Sequence, residues 1–297
     1  MSLVAVTPEF LRTHPLPRHQ QEGDKRARGR VLVIAGSVEV AGAALLAGLG
    51  VLRAGAGILQ IVTCRSAASH LAMAMPEAMV VGCRETPAGD IDPANAPRLI
   101  ELGSGCDAVL IGPGMMDEAA VAELTSELLK RLETPVFVLD ASAFATLDAR
   151  EVPGGHAGKI VATPHSGEMA KFLALPRDDV DNAPLRAARQ AAAALQAVIA
   201  MKGASTHVVS PGGEAWLCQN GSIGLATSGS GDTLAGILAG LLARGTQPAL
   251  ATIWAVYMHG EAGRRLAKRN GTLGLLAREI PGEIPGIMQE FSDASIT

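Results

Sequence analysis

The chain has 297 residues, of which 48% are hydrophobic and 3% aromatic, and its formal net charge is −4. That charge argues against a nucleic-acid surface. Although the mean hydropathy is +0.26, no uncharged apolar run reaches the roughly 18 residues that a membrane span needs. With so few aromatics, the core must be built from Ala, Val, Leu, Ile and Met. Cys64, Cys83, Cys106 and Cys218 are far apart and form no CxxC pair, which predicts reduced, buried thiols in a cytoplasmic protein. The opening residues lack the basic-then-apolar form of a signal peptide.

In chain order, Thr7-Pro8 reads as a helix start, with Thr7 as cap and Pro8 in the first turn. Residues 18–30 are basic and aperiodic, the mark of a solvated loop; Lys25 there reads as a surface lysine, with a phosphate contact as the alternative. RVLVIA (30–35) is a short β-branched run ending in Gly36-Ser37, the pattern of a parallel strand buried on both faces. Residues 41–54 follow as a small-residue helix and residues 58–63 as a second strand. The glycines of this βαβ unit lack dinucleotide-fingerprint spacing, and close packing explains them as well as a ligand does.

Residues 107–111 form the next strand, closed by Gly112-Pro113-Gly114. An amphipathic helix spans 117–133, with Val121, Leu124, Leu128, Leu129 and Leu132 inward. The strand PVFVL (135–139) ends in Asp140. Loops after parallel strands carry ligands in open α/β sheets, so Gly114 and Asp140 are candidates by position, against a tight turn and a helix cap. KIVA (159–162) leads into TPHSGE (163–168). There His165 can donate to a ligand oxygen, and Glu168 can hold a cation or cap the following helix. Residues 184–196 are helical and VIAM (198–201) is a strand. Lys202-Gly203-Ala204-Ser205-Thr206 can touch phosphate and ribose or simply turn the chain. Residues 206–210 and 214–218 form a hairpin. Helix 248–269 follows the small-residue helix at 234–243, and two short helices divided by Pro281 and Pro285 finish the chain. No linker or repeat interrupts it, so residues 1–297 read as one domain, a mostly parallel sheet with helices on both faces.

The stretch TSGSGDTLAGILAGLLARG (227–245) organises the rest. Leu234, Ile237, Leu238, Leu241 and Leu242 recur at three and four, giving a buried helix that Gly245 caps. Small residues at its N-terminus leave backbone N–H groups free for an anion. Asp232 at that end is either an N-cap or a base that accepts the proton of an attacking hydroxyl. The helix end is expected to keep it ionised.

Taken together, AGSVEVAGAALLA (35–47), IGPG (111–114), TPHSGE (163–168), KGAST (202–206), TSGSGD (227–232) and HGEAG (259–263) resemble, in order and spacing, the ADP- or ATP-dependent NAD(P)H-hydrate dehydratases. The resemblance runs from about residue 25 to 285. It implies a ribokinase-like three-layer α/β/α fold and a metabolite-repair enzyme. It places the nucleotide over Lys202, Gly203, Ala204, Ser205 and Thr206 and over Gly229, Ser230 and Gly231. It places the hydrate near Ala43, Gly114, Met116, His165 and Asp232, with Asp232 as catalytic base. Magnesium is implied with the ADP or ATP co-substrate, Glu168 being the candidate metal residue. The implied partners are NADHX and NADPHX, with no nucleic acid or membrane, a homo-oligomer such as a tetramer, and a separate epimerase for which this chain is too short. Two positions depart from the family pattern. Met116 stands where GPGLG has glycine, and Ser142 stands where DADAL has an acid; both bear on substrate geometry. A kinase of a thiazole or pyrimidine alcohol and a catalytically weak nucleotide-binding protein are the alternatives.

Overall fold

The computed structural model describes residues 2–17 and 24–293. Ten strands form one sheet: β1 (Leu3–Ala5), β2 (Arg30–Ile34), β3 (Ile58–Cys64), β4 (Met79–Cys83), β5 (Ala108–Ile111), β6 (Val136–Leu139), β7 (Ile160–Ala162), β8 (Val198–Met201), β9 (Thr206–Val209) and β10 (Ala215–Cys218). Their spatial order is β1-β10-β9-β8-β7-β6-β5-β2-β3-β4. Only β9 runs against its neighbours. The helices are α1 (Pro8–Thr13), α2 (Gly42–Arg53), α3 (Arg65–Ala74), α4 (Ala96–Gly103), α5 (Glu118–Arg131), α6 (Ser142–Ala145), α7 (Ser166–Leu173), α8 (Arg177–Asn182), α9 (Pro184–Leu195), α10 (Ser230–Ala243), α11 (Pro248–Asn270) and α12 (Ile280–Asp293).

The alternation of side chains along a strand explains the continuous apolar runs. Val31, Val33, Ala108 and Leu110 join one core with α2, α10, α11 and α12. Leu32, Ile34, Val109 and Ile111 join the opposite core with α4, α5 and α9. The inward residues of α5 are those expected, all buried. The four cysteines are free and buried. Among the described residues no helix is long and apolar enough to cross a membrane.

Helices α2 and α10 meet backbone to backbone. A Cβ on Gly236 would lie 2.0 Å from the carbonyl oxygen of Ala47, one on Gly240 2.6 Å from that of Val51, and one on Gly50 2.6 Å from that of Thr233. Close packing therefore accounts for Gly50. Gly42, at the start of α2, faces open space instead.

Several elements differ from expectation. The segment 65–103, for which the sequence reading names no element, carries α3, β4 and α4. Residues 3–5 form an edge strand parallel to β10. Of the expected loop at 18–30, residues 18–23 lie outside the described residues, and Lys25–Arg28 is an exposed 3₁₀ turn. The C-terminus is one helix, not two, with Pro285 inside it. Pro281 sits in the first turn, where no backbone donor is needed, and the burial of Ile280, Ile284 and Ile287 offsets the bond that Pro285 removes.

Candidate active site

Five adjacent strands, β8, β7, β6, β5 and β2, end on the same edge of the sheet, because all run parallel. That edge gathers the turns after them: Lys202, Thr163 to Glu168, Asp140, Gly112 to Gly114, and Gly36-Ser37. Open α/β sheets bind ligands in this position.

At the centre of the edge lies a lysine among carboxylates. The Lys202 ammonium is 3.0 Å from Oδ1 of Asp140 and 3.8 Å from Oε2 of Glu168. Asp140 is 3% exposed, and its Oδ1 also accepts a 2.6 Å hydrogen bond from the Thr163 hydroxyl. Burial works against the charged ammonium, but the charges of Asp140 and Glu168 outweigh it and hold Lys202 above the ordinary lysine range. Glu168 is raised above the usual carboxylate range, chiefly by burial, with Lys202 opposing. The residue after Asp140, Ala141, has φ 50° and ψ −128°, a strained conformation for a residue with a Cβ.

Helix α10 points its N-terminus into this cluster. A Cβ on Gly231 would lie 3.4 Å from the Lys202 ammonium. The N-cap is Gly229, at φ 83°, and no side chain caps the helix. The cap reading of Asp232 therefore fails: it is the third residue of the helix. The amide of Ser230 donates to Thr227, which leaves the N–H groups of Gly231 and Asp232 unpaired among the described residues. The backbone N–H groups expected to be free for an anion at this helix end are thus these two.

Asp232 departs from expectation in where it titrates, not in its charge at neutral pH. Burial, then the Asp140 charge, raise its carboxyl to about 6 in spite of Lys202. The helix end does not hold it low; burial, aided by the Asp140 charge, outweighs it. It is ionised at neutral pH but close enough to its titration to exchange a proton, as a general base requires.

A histidine outside the candidate set supports the helix start. Nε2 of His259, on α11, lies 2.9 Å from Oγ and 3.0 Å from the carbonyl oxygen of Ser230. Burial pushes His259 down to about 4, so it is neutral and adds no charge there. The HGEAG motif carries that signal in the sequence, though not the role.

The remaining expected residues occupy varied positions. His165 is the N-cap of α7: its Nδ1 accepts from the amides of Gly167 and Glu168 at 3.0 and 3.3 Å. Its Nε2 lies 3.2 Å from Oε1 of Glu168. With Nδ1 accepting, the ring proton is on Nε2, and more than half of the side chain is exposed. Glu168 returns a bond by accepting from the His165 amide at 2.8 Å, so this pair forms a capping box. Ala43 is buried against Gly114, where a Cβ would come within 2.5 Å of the Ala43 methyl. The neighbouring Gly42, not Ala43, is open. Met116 is 60% exposed, its amide held by the buried Asp90, which also accepts from Asp117. The Ser142 hydroxyl donates to the Met115 carbonyl at 3.2 Å, tying the loop after β6 to that after β5. Gly203 and Ala204 are exposed at the tip of the β8–β9 turn, with Ser205 and Thr206 half-buried behind them.

The family model for NAD(P)H-hydrate dehydratase matches residues 31–286. The chain is 45% identical over 288 residues to the ADP-dependent (S)-NAD(P)H-hydrate dehydratase of Xanthomonas campestris, covering 96% of each chain. Its structure is similar to that of the ADP/ATP-dependent NAD(P)H-hydrate dehydratase of Bacillus subtilis, co-crystallised with ATP and Mg²⁺, at TM-score 0.81 and 29% identity, covering 98% of this chain and 99% of that one. A ribokinase-like superfamily protein from Enterococcus faecalis matches at TM-score 0.81 and 27% identity, covering 97% and 96%. The mostly parallel sheet with helices on both faces is thus the ribokinase-like fold. With five of the six sequence motifs gathered on one sheet edge and the family model spanning nearly all of the sheet, the chain belongs to the NAD(P)H-hydrate dehydratase family.

Proposed function

We propose that this chain restores NADH and NADPH from their S hydrates, using ADP or ATP as phosphoryl donor. The observation that carries the reading is Asp232 in the first turn of α10, beside two unpaired backbone N–H groups and the Lys202 ammonium. The nucleotide's terminal phosphate lies against the N–H groups of Gly231 and Asp232, with Lys202 turning from Asp140 toward it. Gly203 and Ala204, at the exposed tip, border the rest of the nucleotide. The hydrate occupies the edge between Gly42, Gly114 and the half-exposed ring of His165, with Met116 at its lip.

The chemistry follows from those positions. Hydroxide is a poor leaving group and phosphate a good one. Asp232 takes the proton of the hydrate's C6 hydroxyl as its oxygen attacks the terminal phosphorus, and the bond from phosphorus to the bridging oxygen breaks, releasing AMP from ADP or ADP from ATP. The ring nitrogen's lone pair then expels phosphate from C6, and loss of a proton from the adjacent carbon restores the dihydronicotinamide. The developing phosphoryl charge meets fixed N–H donors and Lys202.

Among the described residues no three or more His, Cys, Asp and Glu side chains are grouped to hold a metal. The carboxylates present are hard oxygen donors, but Asp140 and Glu168 already share Lys202. This donor set would suit a Mg²⁺ carried mainly by nucleotide phosphates and water, with Glu168 as the residue that would help hold it. Bound so, the ion neutralises phosphate charge.

The test is stoichiometric. With hydrate, ADP or ATP, and magnesium, inorganic phosphate and reduced nicotinamide should appear in equal amounts, by phosphorus NMR and nicotinamide absorbance. A persistent phosphate ester from a small thiazole or pyrimidine alcohol, with no reduced nicotinamide from the hydrate, would make the chain a kinase instead.

A further inference from the structure

A second cavity, of about 540 Å³, lies at the β1 edge of the sheet, between the N-terminal segment and helices α11 and α12. Its walls include Val6, Arg12, Leu217, Gln219, Tyr257 and Phe291. None of these belongs to the site around Asp232. Asn220 also lines it, its amide donating to the Tyr257 carbonyl at 2.8 Å and its carboxamide filling the space beside Gly260.

Polar groups without partners converge on the cavity. Tyr257 is 7% exposed, yet its hydroxyl has no hydrogen-bond partner among the described residues. That hydroxyl faces the cavity, where it can donate to a ligand oxygen. The Arg12 guanidinium lies 5.8 Å from the centroid of the Phe291 ring, with no carboxylate at ion-pair distance among the described residues. The Gln219 carboxamide is also unpaired among them.

The charge balance favours an anion. Glu261 is held by Arg264 through two 2.7 Å bonds and by Arg265 at 2.9 Å, and Arg265 continues to Glu290 at 2.6 Å. Both carboxylates are thus neutralised inside the wall. Three arginines face two acids, and the excess positive charge sits on Arg12, at the mouth. The floor is apolar: Val6, Leu217 and the Phe291 ring, which Trp254 and Tyr257 meet edge-on.

We propose that this cavity is a second ligand site, for a small organic oxyanion, a carboxylate or phosphate group carried on an apolar or aromatic body. Arg12 pairs with the anionic head, the Tyr257 hydroxyl donates to one of its oxygens, and the body lies on Leu217 and Val6. The volume is within the range of small-molecule pockets. The proposal is independent of the reaction at Asp232.

Calorimetric titration of the full chain with phenyl phosphate and with benzoate tests it, with and without saturating ADP and magnesium. At least one probe should bind, and the tighter of the two identifies the head group. Binding should weaken about tenfold in Arg12→Gln, the loss of one charge-assisted contact, and several-fold in Tyr257→Phe. Circular dichroism checks that both variants are folded; Arg12 is exposed and should be neutral to folding. Saturating ADP should leave the probe's affinity unchanged. Absence of binding at millimolar probe, equal affinity in both variants, or displacement of the probe by ADP would each overturn the proposal.

Discussion

Asp232 and Lys202 make predictions of opposite sign. Asp232 titrates at about 6 because burial and Asp140 raise it while Lys202 lowers it. The pH profile of kcat/KM should therefore rise with a midpoint near 6. Lys202→Met removes the lowering charge and should move that limb to higher pH, while Asp140→Asn removes a raising charge and should move it to lower pH. A limb unmoved by either substitution would mean that another group controls the rate. Asp232→Asn should cost about 10²-fold or more in turnover, the scale of general-base loss, with the fold intact. It should also stabilise the protein. The folded-state pKa is above the unfolded one, so the ionised carboxylate disfavours folding at high pH, and that penalty disappears as pH falls from about 6 through 3.8. At neutral pH the variant should gain about 1–2 kcal/mol, discounted for partial exposure, and at pH 3 nearly nothing. Chemical denaturation at the two pH values measures the difference.

The pairing of α2 with α10 sets where Asp232 stands, since both helices contact each other through glycine. Gly236→Ala drives a Cβ into the Ala47 carbonyl at 2.0 Å, and backbone cannot yield as a flexible side chain would. The expected loss is about 2–3 kcal/mol of stability, read by thermal or urea unfolding. A neutral result would mean that the two helices can separate freely. At the other end of the helix, His259→Ala removes both bonds to Ser230. Turnover should fall more than global stability, because the helix start loosens while the core beneath Leu234 to Leu242 is unchanged. Met116 has a different standing. Its side chain is exposed while its amide is fixed by Asp90, so Met116→Gly should leave stability nearly unchanged and leave KM for the hydrate equal or lower. A raised KM would mean that the Met side chain makes a useful contact at the lip.

Over the molecule as a whole, binding should register as stability. A ligand present at a hundred times its Kd adds about 2.7 kcal/mol to folding, so ADP with magnesium should raise Tm by several degrees. Gly203→Val, which puts a branched side chain at the tip of the β8–β9 turn, should reduce that rise, and the rise given by hydrate should change less. Much of this architecture was legible in the chain. β-branched runs such as Arg30–Ile34 and Val136–Leu139, buried on both faces, are unmistakable as parallel strands, and the periodicity of α5 and α10 names their inward residues correctly. Local pattern encodes such elements because each side chain's environment follows from its neighbours a fixed number of positions away. The motifs carried the family as well, since a turn such as TPHSGE keeps its chemistry within a few residues. What the sequence could not specify were relations between distant segments. The edge strand Leu3–Ala5 exists only because β10 is beside it, and the sequence reading names no element between β3 and β5. Lys202 and Asp140 are 62 residues apart in the chain, and neither spacing nor composition signals that they form an ion pair. The charge state of Asp232 follows from that encounter: the helix end alone predicts a low pKa, whereas burial beside Asp140, brought there by the parallel order of five strands, raises it toward neutrality.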